Sequence, residues 1–352
     1  MQSDLTLDPA LFASSQVTES TQQFRELVRL NDEATNHLFG DVIDAVGLRP
    51  LAAGPPPEGG EYIKIAARES GRDIPCRVAR PTAGKASGVL LHFHGGGLAI
   101  GSHDMNLPLL QRFADASGCV TVSVGYRLAP ENPFPDPIQD CFDVADYLIG
   151  NAEKDFGGPL QFIGGESAGA YLTMQTYFHI AGTNPSFDSL KGLIFTYGVY
   201  SWSLLPSAHT IADTVMLDAG KIAKFGDLSF KMEPGQLSMA CDLFEQEFGT
   251  LAIRFNGTSH DHHLKHPAMS PLYRSLEQIT SPLPPALFLC GTADPLLDDT
   301  ILMSAHWQIA GGPATVRFVT GAPHAFVEAP VEAGDCNVKA ADIIRQFLEE
   351  KR

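Results

Sequence analysis

The stretch that decides the fold is LQFIGGESAGAYLTMQTYFHI, residues 160–180. The apolar run LQFIGG is typical of a buried strand, and the residues after Ser167 favour a helix to about Ile180. Between them, GESAG fits G-x-S-x-G, a tight turn that pushes a serine hydroxyl out at the edge of a sheet. Its glycines let the backbone turn without a Cβ clash. The same pentapeptide also fits a Gly-rich turn whose serine has no catalytic role. The other motifs of the sequence must therefore decide between the two interpretations.

Predicted strands alternate with predicted helices on either side of this stretch. Apolar runs indicate eight strands, at 61–67, 74–80, 88–94, 119–126, 160–165, 190–198, 285–291 and 314–320. Further helices are expected at 105–117, 137–155, 299–310 and from about 336. This alternation is typical of βαβ units, and continuous apolar runs suit a sheet that is covered on both faces. The chain is therefore predicted to be an α/β protein with a mostly parallel eight-stranded sheet and helices on both faces.

A second motif, HFHGGG (92–97), follows another of the predicted strands. Three consecutive glycines expose main-chain N–H groups that side chains would otherwise screen, and such a loop can stabilise an oxyanion. In isolation, the same residues would also fit a flexible turn. Upstream of G-x-S-x-G, they match the H-G-G-G loop that accompanies a serine nucleophile.

Two more polar residues follow strands near the end of the sequence. Asp294 comes just after PALFLCG, and His324 comes just after ATVRFVT. Alone, such an Asp is more often a helix cap and such a His a structural hydrogen-bonding residue. In the order Ser167, Asp294, His324, however, they give the nucleophile–acid–base sequence of α/β-hydrolases.

Taken together, these motifs make the sequence similar to the hormone-sensitive-lipase-like esterases of the α/β-hydrolase superfamily. The resemblance covers roughly residues 60–350 and implies an α/β-hydrolase fold with a helical cap. The matching segments are HFHGGG (92–97), GYRLAPENPFP (125–135), GGESAGA (164–170), GTADPLLDD (291–299) and GAPHAF (321–326).

The resemblance also implies a role for each site residue. Ser167 would be the nucleophile, His324 the base and Asp294 the acid that orients it. The oxyanion would be held by main-chain N–H groups, those of Gly96, Gly97 and Ala168. Arg127 and Glu131 would brace the loops around the site.

Two positions depart from the family pattern. The residue before the nucleophile is usually Asp or Thr, and here it is Glu166. The residue after S-A-G is usually Gly, and here it is Ala170. Neither change removes a catalytic group, but both alter how the turn at Ser167 is supported.

The length of 352 residues exceeds what one plain α/β domain needs. We expect N-terminal cap helices in 1–50, a catalytic core in 51–199 and 271–352, and a cap insertion in 200–270. Helices are expected at 17–38, 213–226 and 235–250, and a linker at 51–61. A cap would keep water from the substrate and strengthen the electrostatics of the site. Candidate lining residues, each of which also fits ordinary packing, are Phe24, Leu38, Phe39, Tyr200, Trp202, Met216 and Phe225.

The amino-acid composition argues against some classes of binding partner. The chain has 24 Lys and Arg against 41 Asp and Glu, a net charge of −17, which argues against nucleic acid as a partner. No apolar stretch is long enough to span a membrane, and no secretory signal is apparent. The six cysteines are dispersed and are expected to be reduced. A cytoplasmic location is therefore expected.

One His-rich run resembles a metal site. Within SHDHHLKH (259–266), His262 and His266 are four residues apart and Asp261 adds a carboxylate. A solvated connection between cap and core is the more typical reading of such a run, and the expected chemistry needs neither metal nor organic cofactor. Asn256-Gly257-Thr258 matches a glycosylation sequon, which is expected to be idle.

The sequence leaves several functions open. Hydrolysis of a small-molecule ester is the leading hypothesis, and amide, carbamate or lactone cleavage would use the same residues. A receptor on this fold that keeps the pocket and loses the catalytic histidine is disfavoured, because His324 is present. A homodimer is a further expectation, since relatives often pair.

Overall fold

The computed structural model describes residues 7–39, 44–211, 215–230 and 264–352. Its centre is one sheet of eight strands in the order β1-β2-β4-β3-β5-β6-β7-β8. The strands are β1 (Glu61–Ala66), β2 (Asp73–Ala79), β3 (Val89–Phe93), β4 (Val120–Val124), β5 (Leu160–Glu166), β6 (Gly192–Thr196), β7 (Ala286–Gly291) and β8 (Ala314–Val319).

The strand pairing brings the functional motifs to one edge of the sheet. β2 runs antiparallel to both β1 and β4, whereas every pair from β4 to β8 is parallel. In the register of β3 and β5, Phe93 lies opposite Gly165. The segments that follow these two strands therefore leave the sheet side by side.

Helices cover both faces of the sheet, which explains why β3 to β7 are buried along their whole length. The helices are α1 (Glu19–Thr35), α2 (Ala45–Ala53), α3 (Leu107–Ser117), α4 (Asp136–Phe156), α5 (Ala168–Thr183), α6 (Pro206–Thr210), α7 (Ala219–Phe230), α8 (Leu297–Ile309) and α9 (Asp335–Lys351). On one face α3 packs against α9, and on the other α4 packs against α5.

The architecture confirms the predicted fold class, an α/β fold with a mostly parallel eight-stranded sheet. All eight predicted strands are present within a few residues of their expected ends. Among the described residues, no helix is long and apolar enough to cross a membrane. Five of the six cysteines are described; they are buried and unbridged, and they are Cys76, Cys119, Cys141, Cys290 and Cys336.

The segments outside the alternating pattern differ most from expectation. α1 ends at Thr35 and continues as a 3-10 turn, Asn36–Phe39, in place of one helix over 17–38. The predicted linker starts only at Gly54, because α2 occupies its first residues in spite of an internal Pro50. The helix expected at 213–226 is α7, shifted toward the C-terminus, and the one expected at 235–250 lies outside the described residues.

Glycines allow β3, β5 and α5 to meet without side chains between them. A Cβ on Gly165 would lie 2.4 Å from the carbonyl oxygen of Phe93, and one on Gly169 would lie 1.9 Å from the same oxygen. Neither distance is compatible with a real methyl group, and the obstacle is main chain that cannot rotate away. The start of α5 is therefore held against the end of β3.

This contact predicts a large effect of a single methyl group. Gly169→Ala should lower the free energy of unfolding by about 3 kcal/mol, because β3 and α5 must separate. Gly182→Ala, in the exposed last turn of the same helix, meets nothing within 4 Å and should raise it by up to about 1 kcal/mol. Urea unfolding of both variants measures the difference, and equal stabilities would contradict the close contact.

Candidate active site

Ser167 occupies the turn between β5 and α5. Its backbone has φ 57° and ψ −118°, a conformation that L-residues rarely adopt. The turn is held by main-chain bonds: the Ser167 N–H donates to the carbonyl of Thr196 over 2.9 Å, and its own carbonyl accepts the N–H of Ala170 over 3.1 Å. Strain at this point is tolerated because the sheet on one side and the helix on the other fix the chain.

His324 and Asp294 approach Ser167 from the two loops that follow β8 and β7. His324 Nε2 is 2.9 Å from Ser167 Oγ, and His324 Nδ1 is 2.9 Å from Asp294 Oδ2. The other carboxylate oxygen of Asp294 accepts the N–H of Leu296 over 2.9 Å. The three side chains thus form one continuous line of hydrogen bonds.

The two loops come together because Gly291 has no side chain. A Cβ at this position would lie 2.0 Å from the carbonyl oxygen of Ala322. Asp294 is fully buried and His324 is 5% exposed, so water competes little for their mutual bond. A buried carboxylate that accepts Nδ1–H leaves Nε2 free to take the proton of the serine hydroxyl.

The loop after β3 lies beside this line. Gly96 and Gly97 have φ values of 109° and 59°, and both line the same cavity as Ser167. Within the described ranges, neither of their main-chain N–H groups has an acceptor. Ala168, the first residue of α5, also lines the cavity, and its N–H has no acceptor inside the helix because of its position. The arrangement can offer three N–H donors to a developing oxyanion.

An aromatic stack supports this glycine loop from behind. His94 and Tyr126 stack with ring centroids 4.2 Å apart, and the Tyr126 hydroxyl donates to the His94 carbonyl over 2.7 Å. His94 Nδ1 lies 2.7 Å from the carbonyl of Gly95. Burial lowers the pKa of His94 to about 3, so the ring is neutral and acts as a spacer rather than a charge.

Glu166, the residue that departs from the family pattern, contributes a buried bridge beneath the turn. Its Oε2 is 2.9 Å from His92 Nε2, while His92 Nδ1 is 3.0 Å from the hydroxyl of Ser123. These side chains join the ends of β5, β3 and β4. The longer Glu therefore supports the turn through the histidine at the start of HFHGGG.

Arg127 and Glu131, the two predicted bracing residues, take part in separate ion pairs. Arg127 Nη2 lies 2.9 Å from Asp140, at the start of α4. Glu131 lies 2.6 Å from Arg49 of α2, which also donates to the carbonyl of Ala99 in the glycine loop over 2.9 Å. Glu131 thus acts on this loop through α2, for which the sequence analysis gave no range of its own within the expected helices of 1–50.

Ser167 opens into a cavity of about 530 Å³. Its wall combines α1, α7 and the loops after β3, β6 and β8. Five of the candidate lining residues lie in it, namely Phe24, Phe39, Trp202, Met216 and Phe225. Apart from the proposed reactive groups, most of the wall is apolar, which suits the hydrocarbon part of a substrate.

Two candidate lining residues do not reach the cavity. Tyr200 is fully buried, and its ring packs against Phe195 and Phe288. Its N–H donates to Asp299 over 2.6 Å, and its side chain belongs to the main hydrophobic core. Leu38 packs against the main hydrophobic core, away from the cavity wall.

Polar residues in the cavity wall were not indicated by the sequence. Asp32 of α1 binds Lys221 of α7, with 2.6 Å between Oδ1 and Nζ, and the Lys221 ammonium also lies 4.7 Å from the Phe39 ring centre. Glu328 lies four residues beyond His324, a spacing that could have indicated it. Burial and the nearby Glu166 raise the pKa of Glu328 to about 7.

The His-rich run lies outside the described residues up to position 263. Across the ranges that are described, no group of three or more His, Cys, Asp or Glu side chains is arranged to hold a metal ion. The sequon at 256–258 also falls outside these ranges.

Comparison with known proteins gives the family. A family model described as alpha/beta hydrolase fold matches residues 90–253 and 251–328, which is more than half of the chain. The chain therefore belongs to this family. The predicted resemblance to hormone-sensitive-lipase-like esterases is confirmed as well.

Individual relatives span most of the chain. Ethyl acetate hydrolase of Pseudomonas putida is 26% identical over 287 residues, 79% of this chain and 80% of the relative. The solved Pyrobaculum calidifontis esterase is 25% identical with a TM-score of 0.68, covering 94% and 97%. A hormone-sensitive lipase from a metagenome library shares the fold at 22% identity, with a TM-score of 0.70 over 94% and 99% of the two chains.

The ion pair between α1 and α7 predicts a stability effect. Asp32→Asn leaves the Lys221 side chain, which is 6% exposed, without its anion, so the free energy of unfolding should fall by about 2 kcal/mol. Glu33→Gln removes a neighbouring charge whose pair with Arg29 is solvent-exposed, and its effect should stay within about 0.5 kcal/mol. Denaturant unfolding compares the two, and a smaller loss for Asp32→Asn than for Glu33→Gln would refute the assignment.

Proposed function

We propose that this protein hydrolyses carboxylic esters of small to medium acyl chain length through Ser167, His324 and Asp294. The observation that carries the proposal is the unbroken hydrogen-bond line from Ser167 Oγ through His324 to Asp294, located at the end of an apolar cavity. The names of the relatives, an ethyl acetate hydrolase and an esterase, support the same class of reaction.

The geometry supports a two-step reaction. His324 takes the proton of Ser167 as its oxygen attacks the ester carbonyl, and Asp294 stabilises the imidazolium that forms. The negative charge on the carbonyl oxygen is held by the N–H groups of Gly96, Gly97 and Ala168, each worth about 3 kcal/mol in related sites. His324 then protonates the leaving alcohol. Water attacks the acyl-enzyme by the same route and regenerates the serine.

The cap is part of the proposal. α1 and α7 supply apolar residues to the cavity wall, among them Leu27 and Phe225. We propose that the segments 1–50 and 200–270 cover the site and set which acyl chains fit, and that 51–199 and 271–352 form the catalytic core. A cavity of about 530 Å³ suits a small to medium ester. A homodimer and a cytoplasmic location stay predictions from the sequence.

Replacing the nucleophile tests the reaction. Ser167→Ala should lower kcat for p-nitrophenyl butyrate by about 10⁶-fold, and Asp294→Asn by about 10⁴-fold, because each removes part of one catalytic unit. Ser186→Ala, in the exposed chain after α5, serves as the control and should keep full activity. A fluorophosphonate probe should label the wild type and the control but not Ser167→Ala. Substantial activity of folded Ser167→Ala would refute the assignment.

The same assay separates the alternative substrates. Aryl acetamides and lactones offered beside p-nitrophenyl esters from acetate to palmitate should be hydrolysed far more slowly than the best ester. A higher kcat/KM for an amide or a lactone would show that this substrate class is preferred over esters. The proposed roles of the three catalytic residues would be unchanged.

Two leucines of α1 test the cap. Leu27 and Leu30 are equally exposed, at 51% and 52%, but Leu27 lines the cavity and Leu30 does not. Leu27→Trp should lower kcat/KM for p-nitrophenyl octanoate several-fold relative to the acetate, because the larger ring occupies space that a longer chain needs. Leu30→Trp should leave this ratio unchanged. Identical chain-length profiles for both variants and the wild type would exclude α1 from the substrate path.

A further inference from the structure

One carboxylate in the cavity wall, that of Glu328, accepts a single hydrogen bond from the described residues. Glu328 is partly buried and lines the cavity together with Ser167 and His324. In the described part of the chain its single hydrogen-bond donor is Asn106, whose Nδ2 lies 3.4 Å from Oε2. Among the residues that the structure describes, none donates a hydrogen bond to Oε1. Because the residue is open to the cavity and this oxygen accepts nothing from the described residues, a bound ligand can donate to it.

The position of Glu328 is close to the reaction centre. A Cβ on Gly95 would lie 3.1 Å from Glu328 Oε1 and 3.4 Å from Ser167 Cβ, so the carboxylate and the nucleophile face the same small space. Glu328 also belongs to the loop that carries His324. Since His324 protonates the leaving alcohol in the proposed reaction, this part of the wall faces the alcohol half of the ester.

Asn106, the donor to Glu328, is of a residue type that adopts the left-handed backbone conformation readily. It has φ 59° and ψ 32°, the left-handed region, immediately before α3. It does not use its side chain to cap this helix, as an Asn in that position commonly does. Its amide is directed to Glu328 instead. The pair is thus fixed from two separate loops.

The surroundings favour a cation over a neutral donor. Of the acids in the described cavity wall, Asp32 is neutralised by Lys221, which leaves the charge of Glu328 unmatched. Aromatic rings of Phe39, Phe225 and Trp202 line the same cavity, and such rings attract ammonium groups. The net charge of −17 also draws cations toward the protein.

We propose that Glu328 is a specificity-determining residue that binds an ammonium group in the alcohol part of the substrate, so that amino-alcohol esters are preferred. This proposal rests on the proposed ester hydrolysis and adds its substrate class. The chemistry is unchanged: the acyl C–O bond breaks, His324 delivers a proton to the departing amino alcohol, and water supplies the hydroxyl of the acid. The burial that raises the pKa of Glu328 also strengthens its attraction to a bound cation.

A matched pair of esters tests the proposal. 2-(Dimethylamino)ethyl butyrate is protonated at pH 8, and 3-methylbutyl butyrate has the same shape without the charge. Hydrolysis of both is followed in a pH-stat, and the readout is the ratio of kcat/KM for the charged ester to that for the neutral one. The intrinsic reactivity of the two esters cancels when this ratio is compared between variants.

Glu328→Gln keeps the shape of the side chain and removes its charge. The ratio should fall about tenfold in this variant relative to the wild type. Glu332→Gln is the control, since Glu332 is exposed, lies four residues further along and does not line the cavity; its ratio should equal that of the wild type.

The outcomes separate the two proposals. A ratio in Glu328→Gln equal to that of the wild type, or an equal fall in Glu332→Gln, would overturn the assignment of Glu328 while leaving ester hydrolysis intact. Failure of folded wild type to hydrolyse either ester would instead count against the proposed function. Circular dichroism and thermal unfolding show whether each variant is folded.

Discussion

The site depends on one close approach of main chain, where the end of β3 meets the start of α5. The Phe93 carbonyl occupies the space that a side chain on Gly165 or Gly169 would need. Because the glycine loop leaves the sheet directly after Phe93, the distance between that loop and Ser167 is set by this contact. Ser167 and the candidate oxyanion donors are therefore positioned by one main-chain contact, which does not depend on the surrounding side chains.

The turn at Ser167 also needs support from below, and buried polar groups provide it. The bridge from Glu166 through His92 to Ser123 links three strands, and the stack of His94 on Tyr126 holds the neighbouring loop. Glu166 Oε2, both ring nitrogens of His92 and the Tyr126 hydroxyl make hydrogen bonds within the protein, whereas Glu166 Oε1 has no partner among the described residues. Glu328 differs from Glu166 in its position, since it lines the cavity and its one donor among the described residues, Asn106, lies at 3.4 Å. Glu166 therefore supports the turn from within the core, whereas Glu328 faces the cavity.

Sequence patterns predicted the sheet and the three residues at its edge for a physical reason. A buried parallel strand must be apolar throughout, and polar residues just beyond it must lie at the same edge, so Asp294 and His324 could be located without coordinates. Side-chain pairs between distant segments carry no such signal. The partners Asp32 and Lys221, or Arg49 and Glu131, meet only after the fold has brought their helices together. Tyr200 and Trp202 are two residues apart and similar in type, yet one faces the core and the other the cavity.

The packing of α1 against α9 has a consequence for how the protein is made. Asp335 donates its N–H to the hydroxyl of Ser20 over 3.2 Å, and α1 contacts the last helix of the chain. During synthesis α1 leaves the ribosome first and must wait for the last segment before its apolar face is covered. Strands β1 to β5 and the turn at Ser167 are synthesised much earlier. The cavity wall is therefore completed last, and a chain released before α9 would carry Ser167, the proposed nucleophile, without an enclosed cavity beside it.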